Sequence, residues 1–255
     1  MFKKKFGQNF LNNNLISKEI VNTQIIKNKN ILEIGCGNLA LTNEIIKKKP
    51  KKFICVEIDK DLIKKNINHE ISNFILNDNA LTFNELNAFK NEKFSIISNL
   101  PFNISNTLLV KWINLQNQYG CIEDMTLMFQ KELAERIVAT ENTKKYGRIT
   151  LLSQAFFQIT KKIEVKKKEF FPVPKVDALV LKFSSLNNKY IKVKNLKKLE
   201  EISRLFFNDR RKKNEKKIKK IFSDKKIMEN NYNIYFNLRA ENIKKEIYYQ
   251  MANEL

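Results

Sequence analysis

Four short segments place glycine, carboxylate or amide residues directly after apolar runs. The first run ends in "EIGCG", with Gly35 and Gly37, and the second ends at Glu57. The third run ends at Asp78 and the fourth at Asn99. Glycines let a backbone turn tightly beside a ligand, and a carboxylate about 20 residues later can bind ribose hydroxyls. Because ligands bind outside the carboxyl ends of parallel strands, the four endings together predict a nucleoside pocket.

Each of these endings, taken alone, also fits a purely structural role. Gly35 suits an ordinary turn, Glu57 and Asp78 suit solvated loops, and Asn99 suits the cap of a helix. Their occurrence after four consecutive apolar runs favours the pocket. A glycine turn followed by a ribose-binding acid fits both NAD and S-adenosylmethionine, so the nucleoside stays open at this point.

The tetrapeptide after the fourth run, Asn99, Leu100, Pro101 and Phe102, favours S-adenosylmethionine. It resembles the N-P-P-Y-like tetrapeptide of S-adenosylmethionine-dependent amino methyltransferases. An adenine amino nitrogen is a poor nucleophile, so the Asn99 amide oxygen and the Leu100 carbonyl would each accept one of its N–H bonds. Pro101 would fix the turn, and Phe102 would stack on the base. In-line displacement would then need positioning and no strong general base.

The elements that must position these residues alternate along the first part of the chain. Apolar runs and helical periodicity indicate strands separated by helices. Such alternation predicts a Rossmann-like, doubly wound α/β sheet that is covered on both faces. The predicted strands are 30–35, 52–59, 73–78, 93–99 and 124–130, and the predicted helices are 39–48, 60–67, 105–116 and 130–139.

The pattern changes after residue 139. Segments 158–170 and 176–186 alternate in the manner of an antiparallel hairpin. From about residue 187 the chain is polar and then helical in character. We therefore predict two domains, a larger one at 1–186 and a small all-helical one at 187–255.

Composition narrows the functional classes. The 255 residues are 43% hydrophobic, and no apolar stretch is long enough for a membrane span or a secretory signal, so we expect a cytoplasmic protein and no membrane partner. Three separated cysteines and one histidine make a poor zinc set, so no metal is expected. A net charge of +21 suggests a polyanionic partner. The abundance of Lys, Asn and Ile, which an AT-rich genome would also produce, weakens that argument.

Eight motifs in order along nearly the entire chain resemble the KsgA family of small-subunit ribosomal RNA adenine dimethyltransferases. The motifs also contain most of the scarce glycines and prolines. They are "FGQNFL" (6–11), "EIGCG" (33–37), "NLPFNIS" (99–105), "MFQKELAERIVA" (128–139), "YGRITLLSQ" (146–154), "FFPVPKVDA" (170–178), "FNDRRK" (207–212) and "RAEN" (239–242).

The resemblance implies a class I methyltransferase fold and the transfer of two methyl groups from S-adenosylmethionine to N6 of each of two adjacent adenosines. These adenosines would lie in the 3′-terminal hairpin of 16S rRNA, in the small ribosomal subunit, during ribosome biogenesis. Phe170 would form a second aromatic wall for the flipped adenine. The implied cofactor residues, with the glycine turn, are Asn9, Leu11, Gly35, Gly37, Glu57, Asp78 and Asn99.

Two positions depart from the family pattern. Phe102 stands where the family usually has tyrosine, which puts only a phenol-dependent contact in doubt, and Cys36 stands where proline or a small residue is usual.

The carboxy-terminal basic cluster is predicted to contact RNA phosphates through Arg210, Arg211 and Lys212. For the lysines after them, at 213, 216, 217, 219 and 220, RNA contact and a merely solvated face stay equally open.

We expect a monomer. Two alternatives also stay open. One is a 23S rRNA adenine methyltransferase of the macrolide-resistance type, and the other is a non-catalytic ribosome-assembly or transcription factor on the same fold.

Overall fold

The computed structural model describes residues 6–66, 69–186, 193–222 and 231–255. The chain forms two compact units. Unit 1 comprises Met1–Ala134 and Gln158–Ser185, and unit 2 comprises Glu135–Phe157 and Leu186–Leu255. The predicted domain boundary lies at residue 187. This residue is the first of the segment 187–192, which lies outside the described residues. The division into 1–186 and 187–255 stays a prediction; the compact units differ from it by grouping 135–157 with the carboxy-terminal part.

The strands and helices follow the predicted alternation closely. The strands are β1 (Phe10–Leu11), β2 (Asn30–Ile34), β3 (Lys52–Glu57), β4 (Ile75–Asn77), β5 (Phe94–Asn99), β6 (Ile122–Gln130), β7 (Phe157–Val165), β8 (Phe170–Phe171) and β9 (Ala178–Ser185). The helices are α1 (Asn14–Val21), α2 (Thr42–Lys47), α3 (Lys60–Asn66), α4 (His69–Ser72), α5 (Glu85–Ala88), α6 (Ser105–Tyr119), α7 (Lys131–Ile137), α8 (Arg148–Gln154), α9 (Leu196–Asn208), α10 (Glu215–Ile221) and α11 (Lys245–Glu254).

Seven strands form one mixed sheet in the order β4-β3-β2-β5-β6-β9-β7. The pairs β2 with β3, β2 with β5, β3 with β4, and β5 with β6 are parallel. Strand β9 runs antiparallel to β6 and is the neighbour of β7, so the two segments predicted to form a hairpin do lie side by side. This arrangement confirms the predicted Rossmann-like α/β fold.

The apolar composition of the central strands follows from their burial. All five residues of β2 and the first five of β5 are buried, as expected where helices cover both faces of a parallel sheet. Trp112 and Leu109 of α6 are completely buried. The sequence prediction of Trp112 as a core residue is thereby confirmed.

Unit 2 is built mainly from helices. The buried face of α9 carries Leu199, Ile202 and Phe206 at helical spacing. The ring of Phe206 meets that of Tyr248 in α11 edge to face, with centroids 5.3 Å apart. No helix in the described ranges of either unit has the length and apolar character that crossing a bilayer requires.

Candidate active site

The carboxyl ends of β2, β3 and β5 meet at one edge of the sheet because these strands are parallel. A cavity opens there, which we call the strand-end cavity; its empty space is about 590 Å³, a figure that includes part of the surrounding solvent. Its walls come from residues 6–11, Glu33, the turn 35–38, Ala40, Leu41, Glu57, Ile58, Leu62 and residues 99–101.

The turn after β2 needs glycine at two positions. Gly35 has φ +77° and donates its N–H to the carbonyl of Val56 at 2.8 Å, which ties the turn to β3. Gly37 has φ +52°, and a Cβ atom there would lie 2.9 Å from the ring of Phe10. Both the left-handed backbone and the close approach of the Phe10 ring disfavour a side chain at Gly37. The backbone of this turn forms part of the cavity wall.

Glu57, at the end of β3, is 5% exposed and lines the cavity. Its Oε1 accepts the Asp59 N–H at 2.9 Å, and its Oε2 accepts the Gly37 N–H at 3.4 Å. Burial raises the pKa of this carboxyl, and the two backbone N–H groups oppose that shift. The Cys36 thiol also donates to Oε2, at 3.8 Å, so the carboxylate is held in place at the cavity wall by several donors.

Glu33 is a second carboxyl at the cavity, and the sequence analysis did not single it out. It is 1% exposed, and the Thr42 hydroxyl donates to its Oε2 at 2.8 Å. Burial, with a smaller contribution from Glu57, raises its pKa to about 8. The signal that could have identified it is a carboxylate inside an otherwise apolar strand, which is rarely buried without a role.

The side chain of Asn99, at the end of β5, is held in one orientation. Its Nδ2 donates to the Asn9 carbonyl at 2.9 Å. A carbonyl only accepts hydrogen bonds, so the amide nitrogen faces Asn9 and Oδ1 faces the other way. Oδ1 is buried and has no hydrogen-bond partner in the described part of the chain. A buried acceptor without a partner costs about 1–3 kcal/mol, and a bound donor would recover that cost.

The rest of the tetrapeptide forms a compact turn. Leu100 is 2% exposed, and the Pro101 carbonyl accepts from Ile104 N–H at 3.1 Å at the start of α6. Phe102 is half-buried, and its ring lies 6.4 Å from that of Phe170 at an interplanar angle of 64°. The two predicted aromatic walls are therefore neighbours, although Phe170 is only 2% exposed and meets Phe102 edge to face.

Residues 6–11 form a wall that joins the glycine turn to the Asn99 turn. Asn38 Nδ2 donates to the Leu11 carbonyl at 2.9 Å, and Gln8 Nε2 donates to Asp59 Oδ2 at 2.9 Å. With the Asn9–Asn99 hydrogen bond, these contacts hold the amino-terminal segment against three strand ends. The resemblance named Asn9 and Leu11, but nothing in the sequence alone indicated these hydrogen bonds.

Asp78 is the predicted cofactor residue that the structure leaves apart from the cavity. It follows β4 and is exposed, and its Oδ1 accepts the Asn79 N–H at 2.6 Å. The other predicted cofactor residues, which do line the cavity, are Asn9, Leu11, Gly35, Gly37, Glu57 and Asn99.

The basic cluster of unit 2 is partly engaged within that unit. The Arg210 guanidinium forms an ion pair with Glu241 and donates from Nη1 to the Lys144 carbonyl at 2.8 Å. Lys217 is 7% exposed and donates to the carbonyls of Phe206 and Asp209, at the end of α9. Burial lowers the pKa of Lys217.

The remaining members of the cluster are more accessible. Arg211 and Lys212 are exposed, with Lys212 3.3 Å from Asp209. Lys213 donates to Asn237 at 3.1 Å and Lys219 to Glu215 at 2.7 Å.

The acceptors and the glycine turn of the strand-end cavity suit a nucleoside cofactor. In the described ranges, no group of three or more His, Cys, Asp or Glu side chains is placed to hold a metal. The buried Glu57 carboxylate and the backbone of the turn 35–38, both in the cavity wall, match the acceptor and the close approach that S-adenosylmethionine would need.

Comparison with known proteins agrees with the family resemblance of the sequence motifs. The family profile described as "Ribosomal RNA adenine dimethylase" matches residues 1–255. The chain is 39% identical over 256 residues to "Ribosomal RNA small subunit methyltransferase A" of Pelagibacter ubique, covering 99% of this chain and 96% of the relative. It is 35% identical over 259 residues to the protein of the same name from Mycoplasmopsis pulmonis, covering 99% and 98%.

Two solved structures share the fold. A dimethyladenosine transferase from Plasmodium falciparum superposes with a TM-score of 0.78 at 25% identity, with 96% of each chain covered. The 23S rRNA methyltransferase ErmE superposes with a TM-score of 0.67 at 20% identity, with 96% of this chain and 99% of that chain covered.

Proposed function

The chain belongs to the ribosomal RNA adenine dimethylase family, and on that premise we propose how its strand-end cavity works. The protein is an rRNA adenine N6,N6-dimethyltransferase. Its substrate is the pair of adjacent adenosines in the 3′-terminal hairpin of 16S rRNA, which it methylates during small-subunit biogenesis.

The proposed cofactor is S-adenosylmethionine, which supplies an electrophilic methyl group when bound. Glu57, fixed at the cavity wall by Asp59 and Gly37, would accept hydrogen bonds from ribose hydroxyls. The backbone of the turn 35–38 would pack against the ligand because this turn forms part of the cavity wall. Asn9 and Leu11 would close the opposite wall. Asp78 would reach the ligand only after its loop rearranges.

The proposed role of Asn99 is to activate the adenine amino group. An N6 lone pair delocalised into the ring must localise on nitrogen before it can attack a methyl group. Acceptance of one N–H by Asn99 Oδ1 and of the other by the Leu100 carbonyl favours that pyramidal nitrogen. Pro101 holds the turn, and Phe102 offers a ring against which the base can stack. No step requires a strong general base.

The observation that supports this role is the unpartnered Asn99 Oδ1. The hydrogen bond to Asn9 fixes the amide, and the orphaned atom is an acceptor on a residue that lines the cavity. The protein has already met the desolvation cost of this acceptor in folding. An incoming N–H group therefore gains a hydrogen bond with little reorganisation.

The proposed partner is the small ribosomal subunit, on which the protein acts as a cytoplasmic monomer. Arg211 and Lys212 remain the best candidates for phosphate contacts, because both are exposed. Arg210 would contact phosphate only in competition with Glu241.

The test is incubation with labelled S-adenosylmethionine and undermethylated small subunits, followed by mapping of the modified base. We expect label at N6 of two adjacent adenosines near the 3′ end of 16S rRNA. Label only in 23S rRNA of large subunits would assign the macrolide-resistance type of activity. Subunit binding without label would assign the non-catalytic assembly role.

A further inference from the structure

A short loop beside the active site exposes apolar side chains. Phe171 is 58% exposed, Val173 is 61% exposed and Val176 is 41% exposed. They lie within six residues that also contain Pro172 and Pro174. Clustered exposed apolar side chains on an otherwise charged surface mark a contact site.

This loop is joined directly to the active site. Strand β8 pairs with β1 in an antiparallel register, Phe10 opposite Phe171 and Leu11 opposite Phe170, and β1 lines the strand-end cavity. Successive residues of a strand point to opposite faces. Phe170 accordingly packs inward against Phe102, and Phe171 points outward beside the cavity.

The loop is held rigidly on both sides. The Asn12 N–H donates to the Glu169 carbonyl at 2.9 Å, and Asn13 Nδ2 donates to the Glu169 carboxylate at 2.8 Å. After the prolines, the Lys131 N–H donates to the Asp177 carbonyl at 2.9 Å, and the Lys167 N–H donates to the Asp177 carboxylate at 2.9 Å. An apolar tip on a fixed base loses little conformational entropy when it is buried by a ligand.

The charges around the loop favour RNA as the occupant. Exposed lysines precede and follow the apolar residues, at positions 161, 162, 166, 167, 168 and 175. Glu164 and Asp177 pair with Lys166, which leaves an excess of positive charge. In RNA, the lysines would contact phosphate groups, and the apolar side chain between them would contact the stacked bases.

We propose that Phe171 is a wedge that enters the RNA base stack when the target adenosine leaves it. This proposal rests on the proposed function. The active site acts on N6 of an adenine, so the base must leave its neighbours to reach Asn99. Proteins that distort nucleic acids insert apolar side chains between bases to hold the opened stack. Phe171, on the outer face of the strand whose inner face carries Phe170, is placed to fill the gap while the base enters.

The test uses the full chain and undermethylated small subunits, with Phe171→Ala, Phe171→Leu and the matched control Tyr119→Ala. Tyr119 is a 53% exposed aromatic at the end of α6, beside the amino ends of the strands. We expect Phe171→Ala to lower kcat about tenfold, the loss typical of one base stack, with cofactor affinity unchanged. Phe171→Leu, which keeps an apolar wedge, should recover most of that loss, and Tyr119→Ala should match the unmodified protein.

A second readout follows the base itself. Small subunits reconstituted with 2-aminopurine at one target position should brighten when the unmodified protein binds, because the analogue fluoresces when unstacked. At saturating protein, Phe171→Ala should give a clearly smaller rise. If its kcat and its fluorescence rise equal those of the unmodified protein, the wedge is wrong and the loop is covered by something other than RNA. If the unmodified protein transfers no methyl group, the proposed function fails instead.

Discussion

Asn99 in the strand-end cavity of unit 1 and the cations Arg210 and Lys217 in the basic cluster of unit 2 differ in how their polar groups are paired. In the cavity, the Asn99 amide is fixed by one hydrogen bond and its second polar atom is buried without a partner. In the basic cluster, Arg210 and Lys217 are engaged with Glu241 and with backbone carbonyls of their own unit.

The difference separates groups that are prepared for a ligand from groups that stabilise the fold. An unsatisfied buried acceptor destabilises the protein until a donor arrives. Gln24 and Asn214 also carry such atoms, but of these three residues only Asn99 lines the strand-end cavity, which gives its acceptor access to a ligand. A cation that caps a helix or pairs with a carboxylate already contributes to stability. Charge clusters in the sequence therefore say less about function than the strand ends do.

Asn99→Ala should have the largest effect. Removal of the acceptor leaves the amino group unactivated, and we expect kcat to fall about 10²–10³-fold, the loss typical of one preorganised polar group. Single-turnover methyl transfer to undermethylated small subunits measures it. Subunit affinity should change little. If the variant methylated at close to the normal rate, the buried Asn99 acceptor would not be prepared for the substrate, and the contrast with the basic cluster would fail.

Glu33→Gln should change the pH dependence of stability. The carboxyl pKa is about 8 in the folded protein and near 4.5 when exposed, so folding takes up a proton between these values. The free energy of unfolding therefore falls as pH rises from 5 to 8, by on the order of 3 kcal/mol for this one group. Urea unfolding at pH 5, 6.5 and 8 should show a flatter dependence for Glu33→Gln. An unchanged slope would mean that Glu33 is ionised in the fold.

Gly37→Ala should weaken cofactor binding about tenfold or more, because the new Cβ atom combines a left-handed backbone with contact at the Phe10 ring. Isothermal titration with S-adenosylmethionine measures the change. Gly120→Ala is the matched control, since Gly120 has φ +59° and a Cβ atom added there would have no other atom within 4 Å. It should lose about 1 kcal/mol of stability and keep the affinity. Equal affinities for both variants would show that the turn does not touch the ligand.

Substitutions in the basic cluster should give the smallest effects. Some should change RNA binding and others the stability of the fold. Affinity for small subunits falls as the salt concentration rises, because phosphate contacts release counterions. The double variant Arg211→Ala, Lys212→Ala should make the slope of log affinity against log salt shallower by roughly one to two. Arg210→Lys breaks the fork-shaped contact with Glu241 and should mainly lower the midpoint of thermal unfolding. If Arg210→Lys changed the salt slope and left the midpoint unaltered, Arg210 would belong with the RNA contacts.

The sequence predicted the position of the site better than its internal contacts. Apolar runs, and the glycines that follow them, located the strands and their ends, because those signals are local and periodic. Glu57 and Asn99 were found because parallel topology brings strand ends together. Glu33 was missed because it lies one residue inside the strand, among apolar neighbours.

Contacts between distant parts of the chain could not be predicted. Arg210 binds a carboxylate 31 residues away and a carbonyl 66 residues away. The same holds for Asn9 and Asn99, whose hydrogen bond spans 90 residues. Periodicity carries no information on such pairs, so a predicted phosphate ligand and an internal ion pair look alike in the sequence.

The most direct measurement is a crystal structure of the protein with S-adenosylhomocysteine and an RNA hairpin that carries the target adenosines. The account predicts N6 of one adenine within about 3.2 Å of Asn99 Oδ1, with the Asn99–Asn9 hydrogen bond intact. An adenine amino group held by other residues, or an Asn99 Oδ1 bonded to protein while the adenine lies elsewhere, would contradict it.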